Sequence, residues 1–250
     1  MRWSETATKI HEGPTTIEAL WRADFEFHEG QHAKVTTSGM WKLAPVVEAG
    51  LRTSLPQFQL GEMGTGAHLL TAAEKVGDPD YVQALQLFVR EEQEHARLLA
   101  LVCQDLEIEM LQKHWTDGVF QVTRTIAGLR AEVLMLLVAE IVAVRYYKVL
   151  AEGVGDHVLS RIFARIQEDE VRHLEFHEAT LPQHIDRWPK PLWLAARTIW
   201  LIALVGTSAV VAWDHRKVLR ACDSGPTRFF REMLRLIRVQ LPKFFRPTTA

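Results

Sequence analysis

One arrangement occurs twice in this chain and limits what it can fold into. Glu62 is followed thirty positions later by Glu92, with His95 three further on. Glu140, Glu170 and His173 repeat the set, each 78 positions after its counterpart. The punctuation inside each set is shared too: Val76-Gly77-Asp78 in the first copy, Val154-Gly155-Asp156 in the second. Glu74 and Glu152 form a further matched pair. Six ligand-type side chains in register across a duplication imply one structural unit used twice.

The spacing predicts two helices per copy, joined at Gly-Asp. Glycine supplies the left-handed residue that ends one helix, and aspartate caps the next. From Glu62 to Asp78 is roughly 24 Å of helix; from Asp78 back to Glu92 and His95 is roughly 21 and 25 Å. An antiparallel hairpin therefore returns Glu92 and His95 to the level of Glu62, and the second copy does the same. Glu and His three apart share a helix face. Two facing hairpins collect four carboxylates and two imidazoles at one level, an arrangement too costly to bury without cations. Glu140 sits in the apolar run 134–144, where an unpartnered carboxylate has no reason to be. Mixed carboxylate and imidazole ligation without thiolates suits iron or manganese rather than structural zinc.

One Glu from each of two helices plus Glu-x-x-His from two others is the di-metal carboxylate pattern. On Glu62, Glu92, His95, Glu140, Glu170 and His173, over about residues 56–180, the chain resembles the ferritin-like di-iron carboxylate superfamily. The resemblance implies an all-α, ferritin-like four-helix bundle holding two iron ions, or a manganese–iron or dimanganese pair. It implies Glu92 and Glu170 as bridging ligands, Glu62 and Glu140 as terminal ones, and one histidine on each metal. Glu91 and Asp169 stand four positions before the ligand histidines, where they can accept the other ring N–H and fix its orientation. Their acid-Glu-x-Arg-His context is similar to that of soluble desaturases and bacterial multicomponent monooxygenases, although copy one has Glu94 where copy two has Arg172.

The rest of the chain divides around this unit. Residues 1–55 read as an extension with short helices, one near Thr15–Trp21 and one beginning near Pro45. His28, Glu29 and His32 form a polar cluster best read as a surface face. Pro56 is the expected start of the bundle, 56–182, with helices near 56–77, 80–112, 129–151 and up to 181 and a connector at 113–127. Gly61, Gly64 and Gly66 in the first helix suit either close packing or space beside the metals. Tyr146 and Tyr147 read as packing residues; His177 and Glu178 read as a bundle-end surface. An apolar helix at 192–213, within segment 189–222, is expected to pack on the bundle or form a homodimer interface, with membrane contact as the alternative. Residues 226–246 form a basic amphipathic helix suited to an anionic lipid surface, to an acidic partner, or to lying over the core.

A net charge of −2 gives no support to nucleic-acid binding. The two cysteines, Cys103 and Cys222, exclude a disulfide framework and a four-cysteine electron-transfer centre. Electrons must come from a separate donor, a reductase or ferredoxin. The first residues lack an apolar signal core, so a cytoplasmic location is expected, with peripheral membrane attachment as an option. The expected activity is that of an O2-dependent di-iron oxidoreductase of the oxygenase, hydroxylase or desaturase type, acting on a largely apolar small molecule. The alternative is a ferroxidase, iron-handling or peroxide-scavenging protein.

Overall fold

The two Gly-Asp signals do what their chemistry requires. Gly77 and Gly155 take left-handed φ values of 83° and 82°. Asp78 accepts a hydrogen bond from the Tyr81 backbone N–H, and Asp156 accepts from those of Val158 and Leu159. Each signal thereby ends one helix and starts the next. The computed structural model describes residues 16–31, 41–111, 128–181 and 189–245. The connector expected at 113–127, His32, Pro182 and Arg246 lie outside them.

The described residues are all-α. The helices are α1 (Ile17–Gln31), α2 (Pro45–Glu62), α3 (Ala67–Glu74), α4 (Pro79–Asp105), α5 (Gly128–Gly153), α6 (His157–Thr180), α7 (Lys190–Asp214), α8 (Arg216–Ala221) and α9 (Pro226–Phe244). Helix α2 packs on α4, and α5 packs on α6. The two pairs meet where α4 touches α6 and where α3 touches α5. Helix α5 is apolar on nearly every side and buries Val133, Leu137, Val138, Ile141 and Leu150. Cys103 and Cys222 are buried free thiols, pushed up to about 11 by burial.

Several expectations are corrected. Helix α2 starts at Pro45, not Pro56; Pro45 occupies the first turn, where its missing N–H costs nothing, and Pro56 lies inside the helix. The first ligand helix is not continuous to residue 77. It stops at Glu62 and restarts at Ala67 after Gly66, whose φ is 63°. Each glycine costs about 1 kcal/mol in a helix interior, so three within six residues favour a break. Helix α4 ends at Asp105 rather than near 112, and Glu107 follows with φ 52°.

The N-terminal segment also has a larger role than that of an appendage. Helix α1 runs to Gln31 and packs on α4 and α6, with Trp21 and Phe25 fully inside the core. Its polar side behaves as expected of a surface: Glu29 pairs with Arg90 at 2.8 Å, and the His28 ring nitrogen lies 2.9 Å from the Asp24 carbonyl. Helix α7 is covered on one stripe only, not as a buried fifth helix would be.

Candidate metal centre

Helices α2, α4, α5 and α6 deliver all six predicted ligand positions to one place. One donor atom from each of Glu62, Glu92, His95 and Glu170 falls within a group spanning 4.8 Å. The same holds for Glu92, Glu140, Glu170 and His173. Glu92 and Glu170 belong to both groups. The histidines turn Nδ1 inward: His95 Nδ1 is 3.6 Å from Glu92 and 3.5 Å from Glu170. His173 Nδ1 is 3.1 Å from Glu92 and 3.3 Å from Glu140.

These atoms are a set of unmet donors and acceptors. Glu92 Oε1, His95 Nδ1, Glu140 Oε2 and His173 Nδ1 are buried and make no hydrogen bond. Burial pushes the Glu62 and Glu140 carboxyls well above their usual range, and the negative charges of Glu92 and Glu170 add to it. Burial works against the imidazolium forms of His95 and His173, yet the surrounding carboxylates outweigh it and hold both above the usual histidine range. The two ring protons thus supply positive charge that the carboxylates require; binding a cation requires their loss. Oxygen and imidazole donors that converge on one space, without thiolate, form a cluster that could hold metal through hard and borderline ligands.

The acids behind the histidines are present but crossed between copies. His95 Nε2 donates to Asp169 at 3.2 Å, and His173 Nε2 donates to Glu91 at 3.0 Å. The expectation that each acid serves the histidine on its own helix is corrected. With Nδ1 turned inward, Nε2 points across the helix pair and meets the acid of the facing helix. Arg172 joins the two acids: its guanidinium is 2.6 Å from Glu91 and 2.9 Å from Asp169, with Asp24 of α1 3.6 Å away.

Other side chains complete the surroundings. Tyr147, expected as packing, donates to Glu62 Oε1 at 2.6 Å. Its spacing of seven from Glu140 was the only sequence signal. Behind it, Phe58 stacks on Tyr146 at 3.6 Å, and Ser54 Oγ lies 2.5 Å from the Tyr146 hydroxyl and 2.6 Å from His215 Nδ1. Phe88 meets His173 edge-on at 4.6 Å. His177 is not on a bundle-end surface: it is fully buried, and neither ring nitrogen has a hydrogen bond. Glu178 pairs outward with Lys243 at 2.9 Å.

A small pocket reaches Glu62 and Glu92 at the helix break. Gly61, Gly64, Gly66, Phe88, Glu132 and Leu136 line it, and it encloses about 60 Å³. A Cβ on Gly61 or Gly64 meets nothing within 4 Å, whereas one on Gly66 lies 2.5 Å from Val89.

The fold and site define an all-helical protein with a buried carboxylate–histidine cluster that can hold metal. No protein-family model, no curated protein and no solved structure matches the chain.

Proposed function

We propose that α2, α4, α5 and α6 form a ferritin-like four-helix bundle whose six ligands hold two iron ions, or a manganese–iron or dimanganese pair. We further infer an O2-dependent oxidoreductase acting on a largely apolar small molecule. One observation carries this reading: the two ligand groups of the duplication interlock through Glu92 and Glu170, and every member but the half-buried Glu92 is buried. When bound, such a metal pair supplies Lewis acidity and the electrons that reduce dioxygen.

The protein's own residues set the conditions. Asp169 and Glu91 hold the imidazoles with Nδ1 inward, and Arg172 keeps both acids in place. Tyr147 keeps a proton at its phenol oxygen against Glu62, because burial and then the Glu62 charge push its ionisation far up. Phe25 and Phe88 pack on His173 and exclude water from that side. Re-reduction requires a separate electron donor.

Metal analysis after expression in iron-replete and manganese-replete media tests the first step. Two ions per chain are expected; markedly fewer would refute it. Rapid mixing of the di-ferrous protein with O2, with and without fatty acyl, fatty aldehyde or aromatic compounds, tests the second. Substrate-dependent O2 consumption is expected.

A second reading has its own support. The pocket at Glu62 and Glu92 is small and adds a third carboxylate, Glu132. It has room for O2, peroxide or Fe(II), which favours a ferroxidase or peroxide scavenger. Steady turnover of Fe(II) or peroxide with no organic compound present would select that function instead.

A further inference from the structure

Helix α7 is largely apolar yet covered on one side. Its buried residues, Trp200, Leu204, Ser208 and Ala212, recur every four positions and form a single stripe. Trp200 Nε1 fixes that stripe by donating to the Leu134 carbonyl of α5 at 2.6 Å. The opposite face is bare: Ile199 is 64% exposed, Ile202 67% and Trp213 65%. An 18-residue window within Pro191–Asp214 has a mean hydropathy of 1.8. An uncovered apolar face of this extent marks a contact site.

Helix α9 lies beside it. The two helices pack on each other and both rest on α5, with Trp193 and Trp200 meeting Phe244 and Phe245. Helix α9 turns Phe229, Met233 and Ile237 inward, and Arg228, Arg231, Arg235 and Arg238 outward. The single acid of α9, Glu232, is engaged by Arg145 and Arg228. Arg231, Arg235 and Arg238 make no ion pair among the described residues. An apolar strip therefore adjoins a row of uncompensated cations. Near each end of α7 an arginine sits over a tryptophan ring: Arg197 on Trp193 at 5.7 Å, and Arg216 on Trp213 at 4.7 Å. Tryptophan and arginine are residues suited to the headgroup level of a bilayer.

We propose that this face docks in the plane of an anionic bilayer. The bare side of α7 lies at the boundary of headgroups and acyl chains, and the α9 arginines meet lipid phosphates. The helix lies on the membrane and does not span it, because its covered stripe is held by α5, which also carries Glu140. A second copy of the chain offers apolar cover but brings further arginines. An anionic lipid surface supplies both the apolar cover and the counter-charge.

Flotation of the purified full-length, metal-loaded protein with phosphatidylcholine vesicles, with and without phosphatidylglycerol, tests this. Co-flotation is expected with the anionic vesicles and is expected to weaken in high salt. Each arginine removed is expected to lower partitioning roughly fivefold, so Arg231→Gln, Arg235→Gln and Arg238→Gln together lower it about a hundredfold. Ile199→Ser with Ile202→Ser is expected to reduce binding while circular dichroism and metal content stay unchanged. Should either variant fail to fold, the wild-type salt and lipid dependence decides. Three results overturn the proposal: no vesicle binding, equal binding to neutral vesicles, or resistance to both salt and alkaline extraction. A wild-type dimer that Ile199→Ser and Ile202→Ser convert to monomer, without lipid binding, would assign the face to a second copy.

Discussion

His95 on α4 turns its Nε2 to Asp169 on α6 at 3.2 Å, so the histidine of one copy is oriented by the acid of the other. The reciprocal contact, His173 to Glu91, is 3.0 Å. The duplication is thereby stitched together behind the ligands, with Arg172 between both acids. Residues that orient metal-bound histidines typically contribute 10–100-fold to metal affinity. Glu91→Gln is expected to weaken metal binding at the His173 side by about that factor, and Asp169→Asn at the His95 side. Anaerobic metal titration followed by isotope-edited NMR of the two rings checks this. A Glu91→Gln variant that perturbs His95 and spares His173 would contradict the crossed pairing.

Glu140 is a cost to the metal-free fold. It is fully buried, and the charges of Glu170 and Glu92 add to the burial that already disfavours its carboxylate. Glu140→Leu removes a desolvated like charge and adds apolar packing within α5. The metal-free variant is expected to be at least as stable as the wild type at neutral pH, because burial and two like charges disfavour the lost carboxylate while Glu92 and Glu91 remain to hold the His173 proton. It is also expected to lose most of the stabilisation that added metal confers. Chemical denaturation with and without metal measures both effects, and a less stable metal-free variant would count against a buried, unneutralised carboxylate cluster.

The six ligand positions were legible because a helical hairpin repeats the same rise and angle in each copy. A constant offset therefore reports a constant geometry. Gly77-Asp78 and Gly155-Asp156 were legible for a similar reason: capping is local chemistry. Three things were not. Whether Glu91 serves His95 or His173 depends on which way an imidazole is turned, and spacing along one helix does not carry that. Asp24 and Phe25 of α1 reach the site from far along the chain, with no periodic signal linking them to it. The largely apolar α7 implies burial, but sequence alone does not say which of its sides finds a neighbour.

The break at Glu62 rests on one glycine more than on its companions. Gly66 has φ 63°, and a Cβ there would lie 2.5 Å from Val89. Left-handed geometry costs an alanine about 1–2 kcal/mol, and the clash adds to it. Gly61 is helical and meets nothing within 4 Å, so Gly61→Ala is expected to stabilise by about 0.5–1 kcal/mol. Gly66→Ala is expected to destabilise by at least 1–2 kcal/mol. Denaturant unfolding of the metal-free variants compares them; equal effects at the two positions would mean that Gly66 does not set the break.

His177 makes the fold sensitive to acid. It is fully buried with neither ring nitrogen hydrogen-bonded; burial, helped by the charge of His173, depresses it from 6.5 to about 3. A neutral ring fits this apolar site beside Phe88 and Phe176, and a charged ring does not. The unfolded chain takes up the proton near pH 6.5 and the folded chain only near 3. Stability from this residue is therefore intact above pH 6.5 and is lost progressively as pH falls toward 3. Between pH 7 and pH 5 the loss is about 2 kcal/mol, at 1.36 kcal/mol per unit. His177→Phe keeps an aromatic ring and removes the proton site. Whatever its stability at pH 7, the variant is expected to gain about 2 kcal/mol on the wild type when both are measured at pH 5. The acids and histidines of the metal centre titrate in both proteins and largely cancel in this difference. Urea unfolding of the two proteins at the two pH values gives the comparison, and a stability gap that does not change with pH would show that His177 holds its proton in the fold.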